Sequence, residues 1–423
     1  MAGGACAAMM SVSCWLFGMM VVGCYGEMTR NLSVIVNPDC KVNTSCMSST
    51  QNFSLVYVRA PLTNATHQHY DEMNYLWSTI AHPSIVASHT KVNESITVDW
   101  NEDDANPINK ITLKSTFSQA IIVSKIFTFN LTKLNLSDAE FNKTNNNVTF
   151  SIDLTNIKWE EYNKTSGVFN GSYHMPALAE NGSHVNGTVY LAMKCFAATK
   201  DGSQGDFPHL PFSANTTLVE LQLYLDVPFT REQDSSVGLE LIVVPDPTMR
   251  DRNVDIQTKR TLDDEYTPSI FYSYTMEVGG SDGGFLQWKP IIYTSEKSKT
   301  VENSEQMYVQ PKVDGRSYMK PFMEKALPNS TVDPLYGSQI RNVSVFYVVY
   351  HPSKAAITNP TFFSWTITMG YGEPPTQGFS AIVILTISLG LGIPAGVTVL
   401  GSIYVVYKKW QLSKKTSGYI SVN

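Results

Sequence analysis

Apolar and polar residues alternate with a period of two over most of the chain up to Met369. Successive side chains of a strand point to opposite faces, so this pattern predicts half-buried β-strands. Val148, Phe150, Ile152 and Leu154 alternate with Asn147, Thr149, Ser151 and Asp153. Val189, Leu191, Met193 and Cys195 alternate in the same way with Thr188, Tyr190, Ala192 and Lys194. Val343, Val345, Tyr347 and Val349 form a third inward set. Segments 54–59, 121–130, 218–227, 239–244, 269–274 and 362–369 also read as strands, and no long helical period precedes residue 379. The expected fold is an all-β, antiparallel β-sandwich ectodomain. Polar stretches at 199–217 and 245–262 interrupt the pattern, which suggests two packed sandwiches with a boundary at 200–250.

The pattern changes at Phe379. From there to Tyr407 no side chain is charged, and about 20 apolar residues suffice for a helix to cross the hydrocarbon core. Lys408, Lys409, Lys414 and Lys415 follow the span, while only Glu373 lies close before it. The positive-inside rule therefore puts 408–423 in the cytosol. Gly392 and Gly396 form a small-xxx-small pair that permits close helix approach, which makes a homodimer one candidate association. At the other end, apolar residues 7–22 lead to Gly23, Cys24 and Gly26, which reads as a signal peptide over 1–26. An uncleaved first anchor is the alternative. The expected order is signal peptide 1–26, lumenal β domain 27–378, transmembrane helix 379–407 and tail 408–423. The lumenal part, about 350 residues, is large enough for one large or two ordinary domains.

Sequons start at Asn31, Asn43, Asn52, Asn64, Asn93, Asn130, Asn135, Asn142, Asn147, Asn163, Asn170, Asn181, Asn186, Asn215, Asn329 and Asn342. All precede the span, which fixes that side as lumenal and predicts a carbohydrate coat. Without the six-cysteine total's leader share, only Cys40, Cys46 and Cys195 remain, too few for a disulfide framework. Cys40 and Cys46 are close enough to pair locally in an oxidising lumen. Cys195 sits in an apolar set and reads as a structural thiol. The net charge of −6, with no basic patch, argues against nucleic acid as a partner.

Candidate chemistry is sparse. Asp263, Asp264 and Glu265 form the densest acidic cluster, but adjacent strand residues face opposite ways and make a poor glycosidase pair. A solvated turn is the plainer reading. His67 and His69 share a spacing that metal ligands use, without a third ligand beside them, so no metal or cofactor is assigned. Nucleophile-elbow, zincin, P-loop and dinucleotide motifs do not occur. The aromatic pieces 74–78 and 284–290 suit either a ligand platform or, more commonly, core packing.

In the tail, Tyr419 and Val422 frame a tyrosine-x-x-apolar peptide preceded by Gly418. Such a peptide can bind an adaptor in extended form; chance occurrence is the bland alternative. Glu27-Met28-Thr29-Arg30, Tyr75-Leu76-Trp77-Ser78, Leu262-Asp263-Asp264-Glu265-Tyr266-Thr267-Pro268 and Gly284-Phe285-Leu286-Gln287-Trp288-Lys289-Pro290 occur in this order before the Lys408-Lys409 pair. Together they resemble the glycosylated lysosomal membrane protein family. The resemblance implies a single-pass type I lysosomal membrane protein without enzymatic activity. It implies an accessory subunit that stabilises a lysosomal major-facilitator transporter, an exporter of dipeptides, and protects it from lumenal proteolysis. It also implies a sorting signal at Tyr419–Val422 for a clathrin adaptor. The competing expectation is a lumenal glycan-binding protein or hydrolase on a β-sandwich, since fold alone allows many functions. The stretch between Asn215 and Asn329 carries no sequon and is the expected contact face for a partner.

Overall fold

The computed structural model describes residues 29–41, 44, 46, 55–63, 69–92, 94–102, 107–130, 148–154, 161–165, 168–178, 184–197, 202–204, 207–213, 215–226, 235–247, 256–260, 272–279, 283–289, 291–295, 297, 303–313, 330–336, 343–350, 361–375 and 381–416. The strands begin with β1 (Thr29–Arg30), β2 (Ser33–Val36), β3 (Leu55–Thr63), β4 (His69–Ser78) and β5 (Ser84–Thr90). A short hairpin follows, β6 (Thr97–Trp100) and β7 (Ile108–Thr112), then the long β8 (Ser115–Asn130) and β9 (Val148–Asp153). Next come β10 (Glu161–Thr165), β11 (Val168–Leu178), β12 (His184–Ala197), β13 (Gly202–Gln204) and β14 (Phe207–Phe212). Two long strands, β15 (Thr216–Asp226) and β16 (Ser235–Val244), precede β17 (Ile256–Arg260), β18 (Tyr272–Gly279) and β19 (Gly284–Trp288). The set ends with β20 (Ile291–Tyr293), β21 (Ser304–Val313), β22 (Ser344–Tyr350) and β23 (Thr361–Tyr371).

All pairings between these strands are antiparallel, as the alternating pattern predicts. One sheet runs β3–β4–β5–β8–β16–β22–β21, with β1 and β2 against β3 and β9 against the far half of β8. The other runs β10–β11–β12–β15–β23–β19–β18–β17. The start of β21 pairs with β20 and its remainder with β22, so this strand passes from one sheet to the other. In β8, Ser124 is an extra residue opposite the Glu240–Leu241 step, and its hydroxyl donates to the buried Glu240 carboxylate. A bulge that bends the strand here lets β8 pair with β5 along one half and β9 along the other.

The two sheets close over one core. Val56, Val58, Tyr75, Trp77, Leu241 and Val348 from the first sheet meet Leu221, Leu223, Leu286, Trp365 and Ile367 from the second. Each such large side chain gains about 1.5–3 kcal/mol on leaving water. A second apolar layer covers the opposite face of the first sheet. There Tyr57, Leu76, Val86, Ile122, Ile242 and Val345 pack under Val98, Trp100 and Ile108 of the β6–β7 hairpin and under the short helix Val332–Tyr336. The loop before this layer is closed by a disulfide between Cys40 and Cys46, with Cα atoms 6.0 Å apart. It is pinned to the hairpin by Trp100 Nε1 donating to the Pro38 carbonyl at 2.8 Å and Val98 N to Asp39 Oδ2 at 2.9 Å.

Double coverage of the first sheet corrects one expectation. Only one face of β22 was expected to turn inward, yet Val345 lies in the outer layer while Phe346, Val348 and Tyr350 lie in the central core. A strand buried on both faces loses its period-two signature. The 200–250 stretch, where a boundary was expected, is strand-bearing in part. It contains β15 and β16, which pair with β12 and β8 in different sheets of the same sandwich. On the second sheet Val189, Leu191 and Met193 are buried as expected, but so is Ala192, which was assigned outward.

Candidate functional site

The two-residue strand β1 is held to β3 by the pairs Thr29↔Thr63 and Arg30↔Leu62. So short a strand has little stability of its own; the Arg30 side chain supplies the rest. It is fully buried, and a guanidinium survives burial only when its charge and donors are matched. Nη1 donates to the Ala60 carbonyl at 2.7 Å. Nη2 donates to Asp71 Oδ1 at 2.7 Å and to the Tyr371 hydroxyl at 3.1 Å. The Tyr371 hydroxyl has two acceptors in reach, Asp71 Oδ2 and Asn215 Oδ1, the latter at 3.2 Å. His89 packs tilted against the Tyr371 ring, centroids 4.0 Å apart, with Nε2 at 3.6 Å from Asp71 Oδ2 and Nδ1 at 2.6 Å from Thr116 Oγ1.

Electrostatics follow from this packing. Burial opposes ionisation of Asp71, but the approach of His89, the Arg30 charge and the Tyr371 hydroxyl outweigh it and hold the carboxyl below its ordinary value. Burial, opposed by the Arg30 charge but reinforced by the Asp71 carboxylate, pushes the Tyr371 phenol up, so it stays a neutral donor. The cluster joins β1, β4, β5 and the end of β23. One residue later the chain turns at Gly372, whose φ of 75° favours glycine. Its N–H donates to the Gly283 carbonyl at 3.0 Å. Asp71, His89 and Tyr371 carry no local sequence signal, because their partners lie far away in the chain; only Arg30 stood in a noted segment.

Beyond this turn stands the anchor, the helix Ala381–Thr416. Among the described residues one helix is long and apolar enough to cross a membrane, and its side chains make no core. Pro394 removes the backbone donor that would bond the Gly390 carbonyl, and its ring crowds that carbonyl. Thr398 Oγ1 donates to the Pro394 carbonyl at 2.8 Å and Ser402 Oγ to the Thr398 carbonyl at 2.7 Å, so both hydroxyls are satisfied inside the helix.

Of the sequon residues, Asn31 and Asn215 are exposed. Asn130 ends β8, and Asn163, Asn170 and Asn186 lie on β10, β11 and β12. Asn163 pairs with Asn170, which pairs with Lys194, so these positions share one register row at one edge of the second sheet. The strands β23, β19, β18 and β17 at the other side carry no sequon. Asn43, Asn52, Asn64, Asn93, Asn135, Asn142, Asn147, Asn181, Asn329 and Asn342 lie outside the described residues. So do residues 1–26, His67, Asp263–Glu265, Tyr419 and Val422. His69 opens β4 opposite Thr63, and Cys195 stands on β12 opposite Val219. Trp77 and the 284–288 piece are core, the commoner use of such residues.

The interior holds a cavity of about 20 Å³ between the sheets, lined by Ile121, Val243, Met276, Trp288, Val348, Trp365 and other apolar side chains. Among the described residues no three His, Cys, Asp or Glu side chains are placed to hold a metal ion. Among the described residues each buried carboxylate has its own polar neighbour: Glu72 has Arg59, Glu220 has Lys194, Glu240 accepts from Ser124 Oγ and Asp246 from Ser118 N, while the partly buried Asp71 has Arg30.

Comparison with known proteins gives a consistent result. The profile of the family described as Glycosylated lysosomal membrane protein matches residues 54–412. The Glycosylated lysosomal membrane protein of Bos taurus is 26% identical over 95% of this chain and 93% of its own. The protein of the same name from Mus musculus is 26% identical over 97% and 96%. That from Homo sapiens is 27% identical over 95% and 92%. The matched region runs through both sheets and the anchor.

Proposed function

The chain belongs to the glycosylated lysosomal membrane protein family, and from that premise we propose that it is the accessory subunit of a lysosomal major-facilitator transporter that exports dipeptides. In this role it stabilises the transporter and shields it from lumenal proteases. One observation carries the reading: a single-span anchor bears a lumenal sandwich whose second sheet has sequons along one edge and none on β23, β19, β18 and β17. One helix cannot form a substrate path, so a transport role passes through a partner. Glycans keep other proteins away from the surface they cover, which leaves the β17–β19 side for the transporter. The tail motif at Tyr419 and Val422 delivers the pair to lysosomes through a clathrin adaptor.

Affinity purification of the intact protein from gently solubilised lysosomes, read by mass spectrometry, tests this reading. One multi-span transporter in near-equal amount is the expected result. Gln257 is exposed on β17, and Gln257→Asn with Lys259→Thr creates a sequon there. Its glycosylation should abolish co-purification, whereas co-purification at the wild-type level would sink the assignment of that face. A hydrolase or glycan-binding protein has weaker support, because the carboxylates above do not converge and the described cavity is apolar.

A further inference from the structure

The anchor helix continues without a break for about two turns beyond the uncharged span, to Thr416. Where the span passes into this extension, Tyr404, Tyr407 and Trp410 are more than half exposed. Aromatic rings with a polar edge settle at the lipid headgroup level. Tyr407 and Trp410 lie with centroids 6.5 Å apart, and Gln411 Nε2 donates to the Tyr407 hydroxyl at 2.8 Å. Lys408 and Lys409 project from the same level.

Lys414 would stand about 6 Å further out along a helix rising 1.5 Å per residue. Its side chain runs back instead, placing Nζ 3.6 Å from the centre of the Trp410 ring. A cation over an indole face is favourable, more so where water is depleted. This returns a third charge towards the headgroup layer. No acidic side chain lies between Glu373 and Asn423, so nothing on this element offsets the lysines.

We propose that the segment from Tyr404 to Lys414 is a collar that gathers monovalent anionic phospholipids, of the phosphatidylserine type, from the cytosolic leaflet. The arrangement around the helix selects this partner. At 3.6 residues per turn, Lys409 and Lys414 lie about 100° and 240° round from Lys408. The three charges point apart and cannot converge on one polyvalent phosphoinositide headgroup. Each can meet a separate lipid. The collar is independent of the transporter reading and stands or falls without it.

The test uses intact protein in phosphatidylcholine nanodiscs containing a minority of spin-labelled phosphatidylserine, with spin-labelled phosphatidylcholine as reference. Electron paramagnetic resonance reads the relative association of the two lipids with the protein. Phosphatidylserine should be preferred, by up to about fivefold for each lysine engaged, and the preference should fall in high salt. The Lys408→Gln, Lys409→Gln, Lys414→Gln variant should lose it, and the matching Lys→Arg variant should keep it. Because Lys408 and Lys409 also orient the span, unchanged lumenal glycosylation must accompany the glutamine variant. The single Lys414→Gln change leaves orientation intact and should still lower the preference. Equal association of both lipids with the wild-type protein would overturn the proposal. So would a preference left unchanged by Lys414→Gln, or a phosphatidylinositol bisphosphate arm that exceeds phosphatidylserine at equal charge.

Discussion

Arg30 and Tyr371 stand 341 positions apart in the chain, yet the guanidinium donates to the phenol oxygen at 3.1 Å. The first strand of the lumenal domain is thereby fastened to the last residue of its last strand, next to the turn that leads to the membrane. Asp71 lies under both, accepting from each. The cluster makes the sandwich and the approach to the anchor parts of one cooperative unit.

Replacing Arg30 with methionine should therefore be severe. The change keeps the stem's volume but strips the Ala60 carbonyl, Asp71 and Tyr371 of a common donor. Removing one partner of a buried ion pair costs roughly 3–5 kcal/mol; Asp71 retains 16% exposure, so the lower end is expected. Arg30→Lys should recover only part, since one ammonium cannot serve three acceptors fixed by a planar fork. Thermal melting of the intact protein in detergent reads both; a shift indistinguishable from wild type for Arg30→Met would remove the fastening role.

The same cluster sets a pH dependence. Asp71 titrates below its ordinary value in the folded protein, so its contribution is fully present above the unfolded carboxylate pKa of about 3.9. It is lost only as pH falls through the lower folded value. The stability difference between wild type and Asp71→Asn should thus stay constant from neutral pH down through the acidic lumenal range, and shrink only below the unfolded value. Denaturant midpoints across that series decide it. A difference that already closes at mildly acidic pH would mean the carboxylate is protonated there.

Most of the architecture was legible because β-strands with one wet face announce themselves. Strands around 121–130, 218–227 and 362–369 appear as β8, β15 and β23, extended by a few residues. What failed failed for one reason. Phe346 and Val348 face one core while Val345 faces another, and a strand between two apolar layers has no alternation to read. The Arg30 cluster was illegible for a different reason: its members come from β1, β4, β5 and β23, and no local pattern reports contacts over such separations. Gly392 and Gly396 were visible from composition, and both lie on the open surface of the helix.

Two glycines three residues from the cluster or closer should respond differently to alanine. At Gly370 an added Cβ would lie 2.7 Å from the Asn215 carbonyl oxygen and 2.6 Å from Thr216 Cγ2. The carbonyl is backbone and cannot swing aside, so β15 and β23 must separate, at a cost of about 1–3 kcal/mol. At Gly372 there is open space, but φ is +75°, and the penalty is a conformational one of about 1–2 kcal/mol. Asparagine, which tolerates the left-handed region, should rescue position 372 and fail at 370. Melting curves for the four variants separate strain from clash.

The cavity between the sheets offers the converse experiment, a gain. Its volume of about 20 Å³ is enough for roughly one water molecule, but its walls, from Ile121 to Trp365, give water nothing to bond. Such a void forfeits dispersion contacts on every lining atom. Val243 is 2% exposed and lines it, so Val243→Ile adds one methylene where space already exists. Burial of that group is worth about 0.8 kcal/mol, set against any rotamer strain from the neighbouring Trp288 and Val348. A rise in denaturant midpoint with unchanged slope is the expected outcome. If the variant is less stable instead, the void is unable to accept a methylene without displacing Trp288 or Val348, and the packing between the sheets is tighter than its volume implies. Val243→Ala completes the pair. It enlarges the same void, and its cost should exceed the isoleucine gain because the cavity penalty adds to the lost transfer energy.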